Sequence, residues 1–176
     1  MTFSSGAVTL HPLKPAHGPA PEDLLAGVAA LELDPGQDAF VGEPATLVAK
    51  AMADPQRHPF AIVADNDVVG FGMLHVNAAT DTGWPDSHTA VLLRGFLVDR
   101  RRQGLGYGTA ATLAAVDLAE ALAAELGLPA TGVVLGVNEL NLAGQAAYTK
   151  AGFVDAGQFL GGRSGPQRIM FRPFTA

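Results

Sequence analysis

Apolar side chains recur along this chain with two different periods, and the switch between them marks out the elements. Val8–Leu10 is a short apolar run closed by Pro12, which predicts a first strand. Pro21-Glu22-Asp23 places acids in the first turn of a helix over Leu24–Leu33, with Pro35-Gly36 as its stop. A second helix is expected over Pro44–Ala53. The β-rich runs Phe60–Ala64 and Val68–Val76 flank a short Asx turn, Asp65-Asn66-Asp67, and so predict a hairpin. Asn77–His88 reads as a polar loop, and Thr89–Val98 as a buried strand rich in Leu, Val and Phe. From Gly106 to Leu126 runs a long alanine-rich helix, ended by Gly127 and Pro129. Apolar residues surround it almost completely, with Leu113 and Val116 falling among its few polar side chains, so it packs on more than one side. Gly132–Val137 is a strand, Asn141–Ala151 a short helix, and Phe153–Gln158 and Arg168–Arg172 are the last strands. The order β-α-α-β-β-β-α-β-α-β-β predicts a mixed α/β fold, a central mixed sheet with helices on both faces. No linker divides the chain and no internal repeat appears, so residues 1–176 read as a single domain.

Composition narrows the function classes. Hydrophobic residues make up 48% of the chain and charged residues 16%, with mean hydropathy +0.23. Such a chain buries a core and is not disordered. Cysteine is absent, which excludes disulfides, thiolate metal sites and cysteine nucleophiles. The net charge of -6 argues against non-specific nucleic-acid binding and mildly favours cationic small molecules. The opening MTFSSGAVTLHPLKP lacks a basic segment followed by an apolar run, so no secretory leader is expected. The longest apolar stretch, Ala110–Leu128, carries Asp117, Glu120 and Glu125 and is not expected to span lipid. A cytoplasmic protein is the expectation. The five histidines show no metal-ligating spacing, and no metal site is expected.

The informative segment is Leu97-Val98-Asp99-Arg100-Arg101-Arg102-Gln103-Gly104-Leu105-Gly106-Tyr107-Gly108-Thr109. Three glycines alternate where a buried strand hands over to a long helix. They let the backbone turn tightly and approach a ligand, while free N–H groups at the helix start suit a phosphate. Three arginines beside them add local positive charge. A P-loop would need Gly-Lys-Ser/Thr and is excluded, since the chain has Gly-Tyr-Gly-Thr. Gly106-x-Gly108-x-x-Ala111 matches a loose dinucleotide fingerprint. The acid such a unit wants about 20 residues on, at a strand end, falls instead inside the helix at Glu125. A third pattern is Gln-x-x-Gly-x-Gly, filled by Gln103, Gly106 and Gly108. A tight turn without a ligand would also use these glycines, and Arg100 and Arg101 read as a solvated edge.

In this turn the sequence resembles the GNAT N-acetyltransferase superfamily, whose acetyl-CoA signature is Arg/Gln-x-x-Gly-x-Gly/Ala. The string VDRRRQGLGYGTAA looks like the version in spermidine and diamine acetyltransferases. A second family motif lies in VNELNLAGQAAYTKAGF, where Asn141 begins a helix, Tyr148 sits near its middle and Gly152-Phe153 starts a strand. The resemblance runs from Val8 to the final strands. It implies a GNAT fold and transfer of an acetyl group from acetyl-CoA to a primary amine, a polyamine or other small cationic amine being the closest analogy. A protein or peptide N-terminal acetyltransferase, an acetyltransferase of amine antibiotics and a non-catalytic acyl-CoA-binding module are the alternatives. Dimers are common in the family, so a homodimer is an open assembly state.

The resemblance also implies roles. Phe96, Leu97 and Val98 would offer backbone hydrogen bonds to the pantetheine arm and polarise the thioester carbonyl. Gln103, Gly104, Leu105, Gly106, Tyr107, Gly108 and Thr109 would hold the pyrophosphate, and Asn141 the pantetheine. Tyr148 is the candidate general acid, because a phenol with a reference pKa of about 10 is protonated at neutral pH and can donate to a leaving thiolate. Asn141 and Tyr148 differ by seven positions, nearly two helical turns, and so face the same way. Asn141 is also a natural N-cap whatever the function. Many relatives place a glutamate on the fourth strand, but Ala90–Val98 offers only Arg94. His75, Asp81, Asp86 and His88 are the remaining candidates for a base, and Asp81 and Asp86 for binding a distant cation.

Overall fold

The computed structural model describes residues 2–15, 17–35 and 43–174. Its elements are β1 (Phe3–Ser5), β2 (Val8–Pro12), α1 (Glu22–Ala29), α2 (Pro44–Ala53), β3 (Arg57–Ala64), β4 (Asp67–His75), β5 (Val91–Val98), α3 (Tyr107–Leu126), β6 (Gly132–Asn138), α4 (Leu142–Lys150), β7 (Val154–Phe159) and β8 (Gln167–Pro173). The strands form one eight-stranded sheet in the order β1-β2-β3-β4-β5-β6-β8-β7. Every neighbouring pair is antiparallel except β5–β6, which α3 connects.

The hairpin between β3 and β4 turns where the sequence places it. Asp65 and Asn66 take φ values of 50° and 65°, the pair of positive angles that a two-residue turn matched to strand twist requires. Alternation along the strands divides the core between the two faces. On one face Leu10, Phe60, Val69, Leu93, Val133 and Leu135 pack against Ala111, Ala115 and Ala119 of α3. On the other, Ala61, Phe71, Met73 and Leu97 meet Val28 of α1, Leu31 just beyond it and Ala51 of α2. The small side chains of α3 let that helix lie close to β1, β2, β5 and β6 at once. A third cluster joins Leu92, Val134 and Ile169 beneath the loop carrying Ala78 and Ala79. None of the helices described is long and apolar enough to cross a membrane.

Three expectations are corrected. β1 is absent from the sequence reading, because Phe3-Ser4-Ser5 has no apolar alternation; it forms by pairing with β2 in register Phe3↔Leu10. The first helix ends at Ala29 rather than Leu33. Beyond it the Glu32 backbone is claimed by the end of β5: its N–H donates to Asp99 at 3.1 Å and its carbonyl accepts from Arg100 N–H at 2.8 Å. Gly36, half of the expected stop signal, lies outside the described residues. The Asn77–His88 loop also contains a short 3₁₀ turn, Ala79–Thr82.

Two features of β5 open the sheet at one point. The strand pairs with β6 only through Val91↔Val133 and Leu92↔Val134, after which the two part. Against β4 it carries one extra residue between Arg94 and Leu97, opposite Met73 and Phe71, with Gly95 at φ 60°. That bulge bends β5 away from β6.

Candidate functional site

The splay opens a cleft of about 780 Å³ on the α3 face, walled by the end of β5, the turn into α3 and the inner side of α4. Eleven residues singled out from sequence line it: Phe96, Leu97, Val98, Gln103, Gly104, Gly106, Tyr107, Gly108, Thr109, Asn141 and Tyr148. Leu105 is the exception. Set between two glycines with left-handed backbone, it turns outward, is 60% exposed and takes no part in the lining.

The turn owes its shape to Gly104 and Gly106, whose φ values are 80° and 82°. A Cβ at either would meet no atom within 4 Å, so each opens onto free space. Gly106 is also the N-cap of α3 and offers no side chain to the helix. The first ladder bond runs from Ala110 N–H to Gly106 O at 3.1 Å, so the amides of Tyr107, Gly108 and Thr109 precede the ladder and carry the positive end of the helix dipole. Gly108 differs from its neighbours: its φ is ordinary and a Cβ there would touch only Val98 at 3.9 Å. Gly106→Ala is therefore expected to cost about 1–2 kcal/mol for its left-handed φ. Gly108→Ala should instead gain up to about 1 kcal/mol from helix propensity. Thermal melting of the two variants checks the opposite signs.

The arginine run is anchored rather than free. Arg100 pairs with Glu32 at 3.0 Å, and Arg102 with Asp67 at 2.9 Å. Arg101 grips Asp99 with Nε at 2.9 Å and Nη2 at 2.8 Å, while its own N–H donates to the same carboxylate at 2.8 Å. The positive patch expected from sequence is thus largely neutralised by the chain's own acids. Asp99 is 1% exposed, and the guanidinium of Arg101 holds its pKa at about 2. It locks the end of β5 to the segment after α1. Gln103 donates from Nε2 to the Val98 carbonyl at 3.2 Å, on the edge of β5 turned away from β4.

Asn141 caps α4, its Oδ1 accepting from Gly144 N–H at 3.0 Å. Tyr148, two turns on, is half-buried, with Phe96 edge-on at 6.1 Å between ring centroids and Phe153 tilted at 6.0 Å. Among the described residues no group hydrogen-bonds its hydroxyl. Desolvation raises its pKa well above that of a free phenol, so it keeps its proton. Sequence reasoning missed Arg102, Ala143, Gly144, Ala146, Ala147 and Lys150 of the lining, and Asp34 and Pro35 after α1. The α4 members were findable, since they repeat at helical spacing from Asn141 and their small size lets a ligand approach the helix axis.

The residues considered as bases lie elsewhere. Asp81 pairs with Arg94 at 3.0 Å, and Asp86 Oδ1 accepts from His88 N–H at 2.7 Å. His75 is buried, and desolvation lowers its pKa, which keeps it neutral. None of the four lines the cleft.

The family model for the acetyltransferase (GNAT) family matches residues 25–153, a span from α1 through α4 to the start of β7. The chain belongs to the GNAT acetyltransferase family. It is 29% identical over 131 residues to the uncharacterized N-acetyltransferase YbbJ of Bacillus subtilis, covering 74% of this chain and 79% of that protein. The fold matches the aminoglycoside acetyltransferase AAC(6')-Ib solved with coenzyme A, at TM-score 0.67 and 20% identity over 94% of each chain. It matches Vibrio cholerae spermidine N-acetyltransferase, solved with CoA and spermine, at TM-score 0.66 and 18% identity over 96% of each chain. Mycobacterium smegmatis RimJ, in complex with CoA-disulfide, gives TM-score 0.68 and 16% identity over 98% of this chain and 86% of that one. The eight-stranded mixed sheet with helices on both faces matches the GNAT fold.

Proposed function

We propose that the protein transfers the acetyl group of acetyl-CoA to a small primary amine, with Tyr148 as general acid. The observation that carries this reading is one cleft in which a splayed strand end, an uncapped helix N-terminus and an unpartnered, protonated phenol converge. The fit to the co-substrate rests on the open space over Gly104 and Gly106, where a Cβ-bearing turn would intrude on a pyrophosphate. The amides of Tyr107, Gly108 and Thr109 would bind the phosphates. Backbone groups of Phe96, Leu97 and Val98 would align the pantetheine arm and polarise the carbonyl, and the Asn141 carboxamide would hold the arm from α4. Acetyl-CoA supplies an activated acetyl group on a thiol leaving group.

As the amine nitrogen bonds to the carbonyl carbon and the carbon–sulfur bond breaks, Tyr148 gives its proton to the departing sulfur, and the proton shed by the new amide nitrogen returns to the phenol through solvent. The acceptor amine reacts as its free base, so kcat/KM should rise with pH toward the amine's own pKa. Tyr148 contributes no falling limb below about pH 10, because its pKa is raised, not lowered. Thiol release from acetyl-CoA with a panel of amines tests the assignment. Saturable release that depends on the acceptor supports it, and tight acetyl-CoA binding without release would instead favour an acyl-CoA-binding module. The acids that suggested a polyamine acceptor, Asp81 and Asp86, are engaged by Arg94 and by the His88 amide. A polyamine therefore rests on the family analogy and the net charge of -6 alone.

A further inference from the structure

Beyond the splay, the two strand walls carry polar groups on the face opposite the cleft. Leu92 and Val134, the last paired residues of β5 and β6, both belong to the cluster beneath the 79–82 turn. Strand alternation therefore sends the residues two positions on, Arg94 and Gly136, to that same face and to equal height across the gap. A Cβ on Gly136 would land on the Thr82 hydroxyl and the Gln167 carboxamide, so both groups stand directly over that strand. Thr82 is 4% exposed, and its Oγ1 is buried without a hydrogen-bond partner among the described residues. An orphaned buried hydroxyl is costly unless a ligand completes it.

Arg94 is held in a defined pose. Its Nη1 donates to Asp81 at 3.0 Å and lies 3.4 Å from Nδ1 of His75. With Nδ1 accepting, the ring proton of neutral His75 sits on Nε2, 3.7 Å from Asp54. Both of these polar contacts of Arg94 fall on Nη1. Among the described residues Nε and Nη2 have no partner, and the side chain is 37% exposed. That edge of the guanidinium is a fork of two parallel donors, the geometry that matches a carboxylate.

We propose that the acceptor of this enzyme is an amine that also carries a carboxylate, bound at the Nε/Nη2 edge of Arg94, with the Thr82 hydroxyl as a second contact. His75 and Asp81 are positioning residues for Arg94. The acceptor enters from the Arg94 face and presents its amine through the gap between β5 and β6. This inference deepens the acetyltransferase reading and rests on it.

The test compares acceptors that differ only by the acid group: glycine, β-alanine and 4-aminobutyrate against methylamine, ethylamine and propylamine, and phenylalanine against phenethylamine. Putrescine and spermidine serve as cationic contrasts. The acids should win in kcat/KM by about 10–100-fold, the worth of a charge-assisted bidentate contact. Arg94→Ala should remove that preference while leaving the KM for acetyl-CoA and the rate with the simple amines within about threefold. Arg94→Lys keeps a charge for Asp81 but loses the fork, so it should restore the melting temperature without restoring the preference. Thr82→Val, which keeps shape and removes the hydroxyl, should lower kcat/KM for the acids alone. A preference for simple amines or polyamines, or an Arg94→Ala loss equal for both classes, overturns the carboxylate site and leaves the acetyltransferase reading standing. Acetyl-CoA binding without turnover of any acceptor removes that reading and this inference with it.

Discussion

Tyr148→Phe should lower kcat by about 10²–10³-fold with little change in affinity for acetyl-CoA. The hydroxyl has no partner among the described residues, so removing it breaks no hydrogen bond of the resting protein. Its ring contacts with Phe96 and Phe153 survive in phenylalanine. A melting temperature close to that of the parent is expected, and this separates a catalytic phenol from a core one, whose lost hydrogen bond would cost about 1 kcal/mol. A donor used only while the carbon–sulfur bond breaks affects the transition state and not the ground state, so the loss appears in kcat. Its size is that of general-acid catalysis, with water supplying the residual rate. Steady-state kinetics and a melting curve on one variant measure both quantities. An unchanged kcat would return Tyr148 to the core.

The largest loss of stability is expected at Asp99. Its carboxylate is buried and accepts from the Arg101 side chain and amide and from the Glu32 amide. Asp99→Ala strips the acceptor from the Arg101 guanidinium and from both amides at once. About 2–4 kcal/mol should be lost, roughly 5–12 °C in Tm for a chain of this size. The pH dependence has a definite sign. The folded-state pKa, about 2, lies below the value of 3.8 for a free aspartate. The stabilisation is therefore complete above about pH 4 and is lost as the pH falls through about 2. Over that window the parent should lose about 2 kcal/mol that the alanine variant no longer has to lose. Chemical denaturation of both proteins at about pH 6 and about pH 2.5, on either side of most of that loss, reads the difference.

Much of the architecture is legible in sequence because local signals and burial agree. The turn at Asp65-Asn66, the αL glycine ending α3 and the Asn141 cap each specify a backbone conformation by their own chemistry. The glycine-turn wall of the cleft and its α4 wall are legible for the same reason: glycines and a capped helix are local devices. What escapes depends on partners distant in the chain. Phe3-Ser4-Ser5 becomes a strand only because β2 offers it an edge. The Leu24–Leu33 helix stops early because Asp99, 67 positions after Glu32, captures its continuation. The arginines read as a cationic patch until Glu32, Asp67 and Asp99 are placed beside them. In sequence Arg94 is only the charge on a strand without a glutamate; its pairing with Asp81 emerges only when the 79–82 turn is placed beside β5.

The parting of β5 from β6 has a mechanical consequence. Two residue pairs join these strands, against seven between β6 and β8, so the backbone ladder is thinnest along this line, and α3 packs across both strands. A co-substrate whose backbone-like arm lies along β5 would act as a splint across that line. Amides of Leu93–Val98 that exchange readily with solvent in the free protein should then be protected once acetyl-CoA is added, while those of β3 and β4, already laddered on both sides, change little. At a concentration about one hundred times its Kd, the ligand adds about 2.7 kcal/mol to the whole fold. A co-substrate seated along β5 would close the line at which the ladder of the sheet is thinnest.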